Sequence, residues 1–156
     1  RNPQGLTVHP QTGVVWAVEH GPKGGDELNI VRKGANYGWP TITYGINYNG
    51  TIITDQRRAP GMEQPIVYWK PSIAVAGAEF YTGSAFPYWT DQLLVTALAY
   101  EEVRVLTLDG ERVLHQEILV KDAGRVREAV PGPDGAIYVV LNEPDRILRL
   151  SPTPRR

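Results

Sequence analysis

Residues Arg1 to Pro40 read RNPQGLTVHPQTGVVWAVEHGPKGGDELNIVRKGANYGWP. Two strand-like runs, Leu6 to Val8 and Val14 to Val18, flank His9-Pro10-Gln11-Thr12-Gly13, whose proline and glycine punctuate a tight turn. The second run ends in Glu19-His20-Gly21-Pro22-Lys23-Gly24-Gly25-Asp26-Glu27. Three glycines and a proline there forbid regular structure, while carboxylates and bare carbonyls accumulate. Carboxylate, carbonyl and phenol oxygens on an irregular loop suit a hard cation such as calcium, which accepts flexible geometry. On composition alone a solvated β-turn remains the plainer account of the same residues.

Outward from this stretch, strand signals dominate. Glycine and proline contribute 16 and 13 of 156 residues, and short β-branched or aromatic runs alternate with turns. Glu27 to Arg32 alternates polar and apolar, which predicts a half-buried strand. Trp39 before Pro40 is pushed to an extended conformation. Residues 41 to 64 are polar and irregular, a loop long enough to be a functional insertion or mobile. Gln92 to Leu98 is continuously apolar and predicts a strand buried on both faces. Val103 to Leu108, Asp109-Gly110 and Val113 to Val120 together read as a hairpin. Pro131 to Val140 echoes His9 to Val18, a proline and a glycine-ended turn before a strand with an aromatic at the same place. Pro10 and Pro133 stand 123 positions apart, or about three propeller-blade units of forty-odd residues. The chain is therefore expected to be all-β, with a β-propeller favoured and a β-sandwich left open by a single echo.

Composition narrows the partners. A formal net charge of -1 with interspersed signs gives no basic footprint, so neither nucleic acid nor an anionic membrane surface is an expected partner. The apolar runs are far shorter than a membrane span. Zero cysteines exclude a disulfide framework and a thiolate zinc site. The only methionine is Met62 and the chain opens directly on Arg1-Asn2-Pro3, which reads as a fragment.

The run Arg-Asn-Pro-Gln-Gly-Leu, then Glu-His-Gly-Pro-x-Gly-Gly-Asp-Glu, then Asn36-Tyr37-Gly38-Trp39-Pro40 resembles the signature of the soluble PQQ-dependent sugar dehydrogenases, which are six-bladed β-propellers. The resemblance implies that residues 1–152 are the C-terminal half of one such propeller, roughly three blades, followed by a frayed tail at 153–156. It implies PQQ and calcium as cofactors, a small-molecule sugar as substrate, a separate electron acceptor, and a periplasmic or secreted location. The N-terminal half of the same propeller, with a histidine general base, is then the expected partner, and His20 is not that base.

Residue by residue, the resemblance places Arg1 and Asn2 beside the quinone oxygens and gives the carbonyls of Gly21 and Pro22 to the calcium that grips the cofactor. Glu27 and Tyr37 match a further calcium site, with an exposed carboxylate and a packed aromatic as the ordinary alternatives. Tyr48 matches a cofactor-contacting aromatic, and Trp69 either stacks on the cofactor or is a core tryptophan. Arg125 and Arg127, on one side of a strand by period two, match the guanidinium groups that hold the cofactor's carboxylates. Ala99 stands where close relatives carry a cofactor-facing lysine, so one expected cation is absent. A calcium-dependent lactone hydrolase and a non-catalytic sugar- or protein-binding propeller remain as rivals.

Overall fold

The computed structural model describes residues 1–153; all of the expected tail except Thr153 lies outside the described residues. Among the described residues eleven strands form three antiparallel sheets, each a simple meander. The first holds β1 (Pro3–Val8), β2 (Val15–Glu19), β3 (Asp26–Val31) and β4 (Val67–Trp69). The second holds β5 (Val75–Phe80), β6 (Leu93–Ala97), β7 (Glu102–Asp109) and β8 (Arg112–Val120). The third holds β9 (Arg125–Pro131), β10 (Ile137–Asn142) and β11 (Arg146–Leu150). All-β architecture is thus as the turn and strand signals predict.

The first strands of successive sheets lie side by side, in close approach at glycines. A Cβ on Gly5 of β1 would stand 2.6 Å from the nitrogen of Ala78 on β5, and one on Gly77 of β5 would stand 2.2 Å from the Glu128 carboxylate of β9. Sheets face each other through two apolar layers. Trp16, Leu28, Trp69, Val75, Phe80 and Leu106 fill the space between the first and second sheets, and Tyr81, Val103, Val126, Ile137 and Val139 that between the second and third. Leu93, Val95 and Ala97 of β6 enter one layer and Leu94 the other. A strand covered on both faces needs no polar alternation, which is why Gln92 to Leu98 reads as an unbroken apolar run.

Three expectations need correction. The Pro10 and Pro133 turns join β1 to β2 and β9 to β10, two sheets apart, so their separation spans two blade steps rather than three. The sheets begin at Pro3, Val75 and Arg125, steps of about 72 and 50 residues, lengthened in the first blade by the excursion between β3 and β4. β3 is not half-buried: Asp26 to Ile30 are all buried, because the excursion folds back over its polar face, with Tyr37, Ile42 and Thr43 near Glu27. That excursion is a packed structure. Ile46 and Lys23 pair as a β-bridge, Arg57 Nη1 donates to the Thr43 carbonyl at 2.7 Å, and Tyr44 stacks on Tyr68 with ring centroids 3.8 Å apart. Finally, a bulge interrupts β9, where the pairing with β10 slips between Val126 and Glu128. Val126 and Ala129, three apart, both enter the core, so strict alternation fails; Arg125, Arg127 and Glu128 stay off it. Bulges re-aim side chains in this way.

Candidate functional site

Strand direction decides which residues share an end of the molecule. β1 begins, β2, β4, β6 and β8 end, and β9 begins at the same edge, so Arg1, Glu19 to Gly25, Lys70 to Ala74, Leu98 to Glu101 and Arg125 gather there. These loops are interlocked. Asp26 is completely buried, and its carboxylate accepts from the Gly21 N–H at 3.0 Å, from the Ser72 hydroxyl at 2.8 Å to each oxygen, and from the Val75 N–H at 3.2 Å. The Gly25 N–H donates to the Trp69 carbonyl at 2.8 Å, and the Leu98 and Ala99 N–H groups donate to the carbonyls of Ala74 and Ile73 at 2.8 and 3.1 Å. Three loop segments from two sheets are thereby held in one arrangement.

Within it, Arg1 faces carbonyls. Its Nη1 donates to the carbonyl oxygens of both His20 and Gly21 at 3.2 Å, its main-chain nitrogen lies 2.9 Å from Glu19 Oε2, and its guanidinium sits 5.3 Å from the centre of the Trp39 ring. The Gly21 carbonyl assigned to a cation thus points at one already. Asn2 is exposed, takes the Gln4 side-chain amide at 3.0 Å and, through its carbonyl, the His20 N–H at 2.9 Å. A narrow cleft of about 10 Å³ beside Arg1 is lined by Glu19, Glu27, Tyr37 and Thr43, which is room for one water or ion. The Tyr37 hydroxyl is committed to β3, accepting from the Arg32 N–H at 2.8 Å and donating to the Ile30 carbonyl at 2.7 Å. It locks the excursion onto the strand and is not a free phenol ligand. His20 Nε2 is buried in the same region without a partner among the described residues.

Glu27 carries the strongest electrostatic signal. Burial pushes its carboxyl up to about 7, the Asn29 amide at 3.1 Å offsets part of this, and the neighbouring Glu19 adds to it. From an ordinary value of 4.5 to about 7, the folded state keeps a proton that the unfolded chain releases. The stability Glu27 contributes is therefore present below about pH 4.5 and lost as pH rises through about 7. Glu27→Gln should flatten this fall in metal-free protein, measured as denaturation midpoints from about pH 4.5 to pH 7.5; a slope equal to that of the unaltered protein would contradict the assignment.

A larger cavity of about 590 Å³ is bounded by Pro22, Ile46, Tyr48, Lys70, Pro71 and Ala99. That is ample for a drug-sized ligand. Pro22, Tyr48 and Ala99, three positions singled out by the resemblance, share this lining, with Tyr48 70 % exposed at the rim. Trp69 does not line it: the indole belongs to the core layer and its Nε1 donates to Gln116 Oε1 at 3.0 Å. Arg125 and Arg127 stand on β9 at the site end but outside this lining, and Arg127 Nη2 donates to Asn142 Oδ1 at 3.0 Å. Sequence reasoning gives no role to Asp26, hidden among loop carboxylates, and none of its own to Lys70, which stands in a run, Tyr68 to Ser72, that resembles the family's substrate-side loop.

Comparison with known proteins agrees with this architecture. The family model described as glucose / sorbosone dehydrogenase matches residues 1–149. The aldose sugar dehydrogenase YliI of Escherichia coli (strain K12) is 44 % identical over 156 residues, covering 97 % of this chain and 42 % of its own. The quinoprotein glucose dehydrogenase B of Acinetobacter calcoaceticus is 50 % identical over 42 residues, 27 % of this chain and 9 % of its own. A crystal structure of a glucose dehydrogenase superposes with a TM-score of 0.93 at 46 % identity, over 98 % of this chain and 45 % of that one. The chain spans less than half the length of these relatives. Its three meander sheets are blades of a β-propeller, and the chain belongs to the glucose/sorbosone dehydrogenase family.

Proposed function

We propose that this chain is the C-terminal half of a six-bladed propeller enzyme that oxidises an aldose at C1 to the lactone, using PQQ and calcium. The observation that carries the reading is the interlocked loop end, where the His20 and Gly21 carbonyls turn toward a cation and the next residues, Pro22 to Gly24, line a ligand-sized cavity. The donor set fits both groups: His20 and Gly21 offer hard oxygens, and the cavity is apolar-walled with cationic groups at its edge. The quinoprotein name of one relative supports the same cofactor.

When bound, PQQ supplies the two-electron acceptor for the hydride leaving C1, and calcium a Lewis acid beside it. Gly21 and Pro22 would hold that calcium through their carbonyls, of which the Gly21 oxygen also accepts from Arg1 Nη1. Arg1 and Asn2 donate to charge developing on the acceptor. Arg125 and Arg127 offer planar bidentate groups to carboxylates. Tyr48 gives an aromatic face at the rim. Glu27 and the Tyr37 segment brace a second calcium in the narrow cleft, where a divalent charge would hold the raised carboxyl ionised. Trp69 serves from the core, its carbonyl holding Gly25.

The proton of the anomeric hydroxyl goes to a histidine in the N-terminal half. That half would cover the exposed Leu6 and Val8 of β1 and add a strand to the three-stranded third sheet. A periplasmic or secreted location and a separate electron acceptor belong to the same proposal. In the full-length protein, aldose-dependent dye reduction should require both PQQ and calcium; no reduction with both present overturns the reading.

A further inference from the structure

The large cavity is charged on one side only. Its lining includes Lys23 and Lys70 and no carboxylate. Among the described residues neither ammonium makes an ion pair or a hydrogen bond. This is not the general condition of lysines at this end. Lys121, near the 98–101 loop, donates to the Tyr100 carbonyl at 2.6 Å and pairs with Glu102 at 3.4 Å.

Lys70 is also placed rather than merely exposed. Its stem lies along the backbone of Gly24, with Cγ 3.3 Å from where a Cβ would stand. Gly24 adopts φ +85, a conformation that glycine takes without penalty, so backbone and stem can approach. The Lys70 loop is pinned to the Gly21 loop through Ser72 and Asp26, and to the Ala99 loop through Ile73. Two unpaired cations beside a dry wall of Pro22, Ile46, Pro71 and Ala99 form a setting in which an anion is attracted more strongly than in open water. Ala99 itself brings only a methyl group to this wall.

We propose that Lys70, assisted by Lys23, is a cofactor-binding residue that selects the anionic form of the guest by pairing with one of its carboxylates, so that this wall supplies the cation Ala99 does not. The inference rests on the PQQ reading above. A hydrogen bond to a charged group contributes about 1.5–3 kcal/mol, or roughly ten- to hundredfold in affinity.

The test is PQQ binding by the full-length apoprotein with calcium in excess, followed by equilibrium dialysis at low salt. Lys70→Ala should weaken binding at least about tenfold, Lys70→Gln nearly as much, and both should reduce its salt dependence. Lys70→Ala/Ala99→Lys should recover most of the affinity, an outcome that a purely structural role for Lys70 would not produce. Thermal midpoints of the variants without PQQ should match the parent, since Lys70 is exposed. If the parent binds PQQ and Lys70→Ala binds it equally well, the lysine proposal fails alone. If the parent itself does not bind PQQ, the cofactor reading fails with it.

Discussion

Replacing Asp26 with alanine should destabilise the full-length protein by about 3–5 kcal/mol, because three donors would lose their acceptor and each buried unsatisfied group costs about 1–3 kcal/mol. Those donors are the Gly21 N–H, the Ser72 hydroxyl and the Val75 N–H. They lie on the loop that offers the Gly21 carbonyl, on the Lys70 loop and at the start of β5, so the loss should also loosen the cavity. Asp26→Asn keeps the volume and one oxygen, and should cost about 1–2 kcal/mol. Denaturant midpoints at constant m-value measure both. An alanine variant within about 0.5 kcal/mol of the parent, the range of featureless surface changes, would show that the loops are held by something else.

Gly25→Ala should be nearly as damaging, for a different reason. Gly25 has φ +74, and a Cβ there would stand 2.6 Å from the nitrogen of Gly45 and 2.9 Å from the carbonyl carbon of Tyr44. Both are backbone atoms of the long excursion, so no side chain can swing aside. Left-handed strain alone costs about 1–2 kcal/mol, and relieving the collision must move one segment off the other. Gly50→Ala is the internal control, since Gly50 has φ +88 and nothing within 4 Å of its Cβ position. The expected result is a loss for Gly25→Ala of about 3 kcal/mol or more, beside about 1 kcal/mol for Gly50→Ala. Equal losses would mean that the loop contact carries no energy.

These two residues show where sequence reasoning stops. Turn and strand chemistry was legible because it is local: proline and glycine mark the β1–β2 and β9–β10 turns, Asp109-Gly110 marks a hairpin, and the both-face burial of β6 leaves an unbroken apolar run. The blade spacing was misjudged because one blade contains a long insertion, which no local signal sizes. β3 looked half-exposed because its cover comes from residues 37–43, and the Arg125-Val126-Arg127 alternation hid a bulge that only pairing with β10 reveals.

The site was legible in part through the resemblance carried by RNPQGL and the Glu-His-Gly-Pro loop. The structure brings Pro22, Tyr48 and Ala99 to one cavity and Arg1, Gly21, Glu27 and Tyr37 to an adjoining cleft. It leaves Trp69 in the core, where apolar layers between blades claim large aromatics. Asp26 and Lys70 carry no role of their own in the sequence because a buried carboxylate and a solvated one are the same letter, and an unpaired lysine is visible only once every neighbour is placed.

We propose that this loop end binds one PQQ with the help of a calcium ion and the chain's own cations. Spectrophotometric titration of PQQ into calcium-loaded, full-length apoprotein tests it most directly, with a chelated sample and an Arg125→Ala/Arg127→Ala variant alongside. Saturable binding of one molecule per chain, abolished by the chelator and weakened at least about tenfold in the variant, is the predicted result. Absence of saturable binding in the calcium-loaded parent would contradict it.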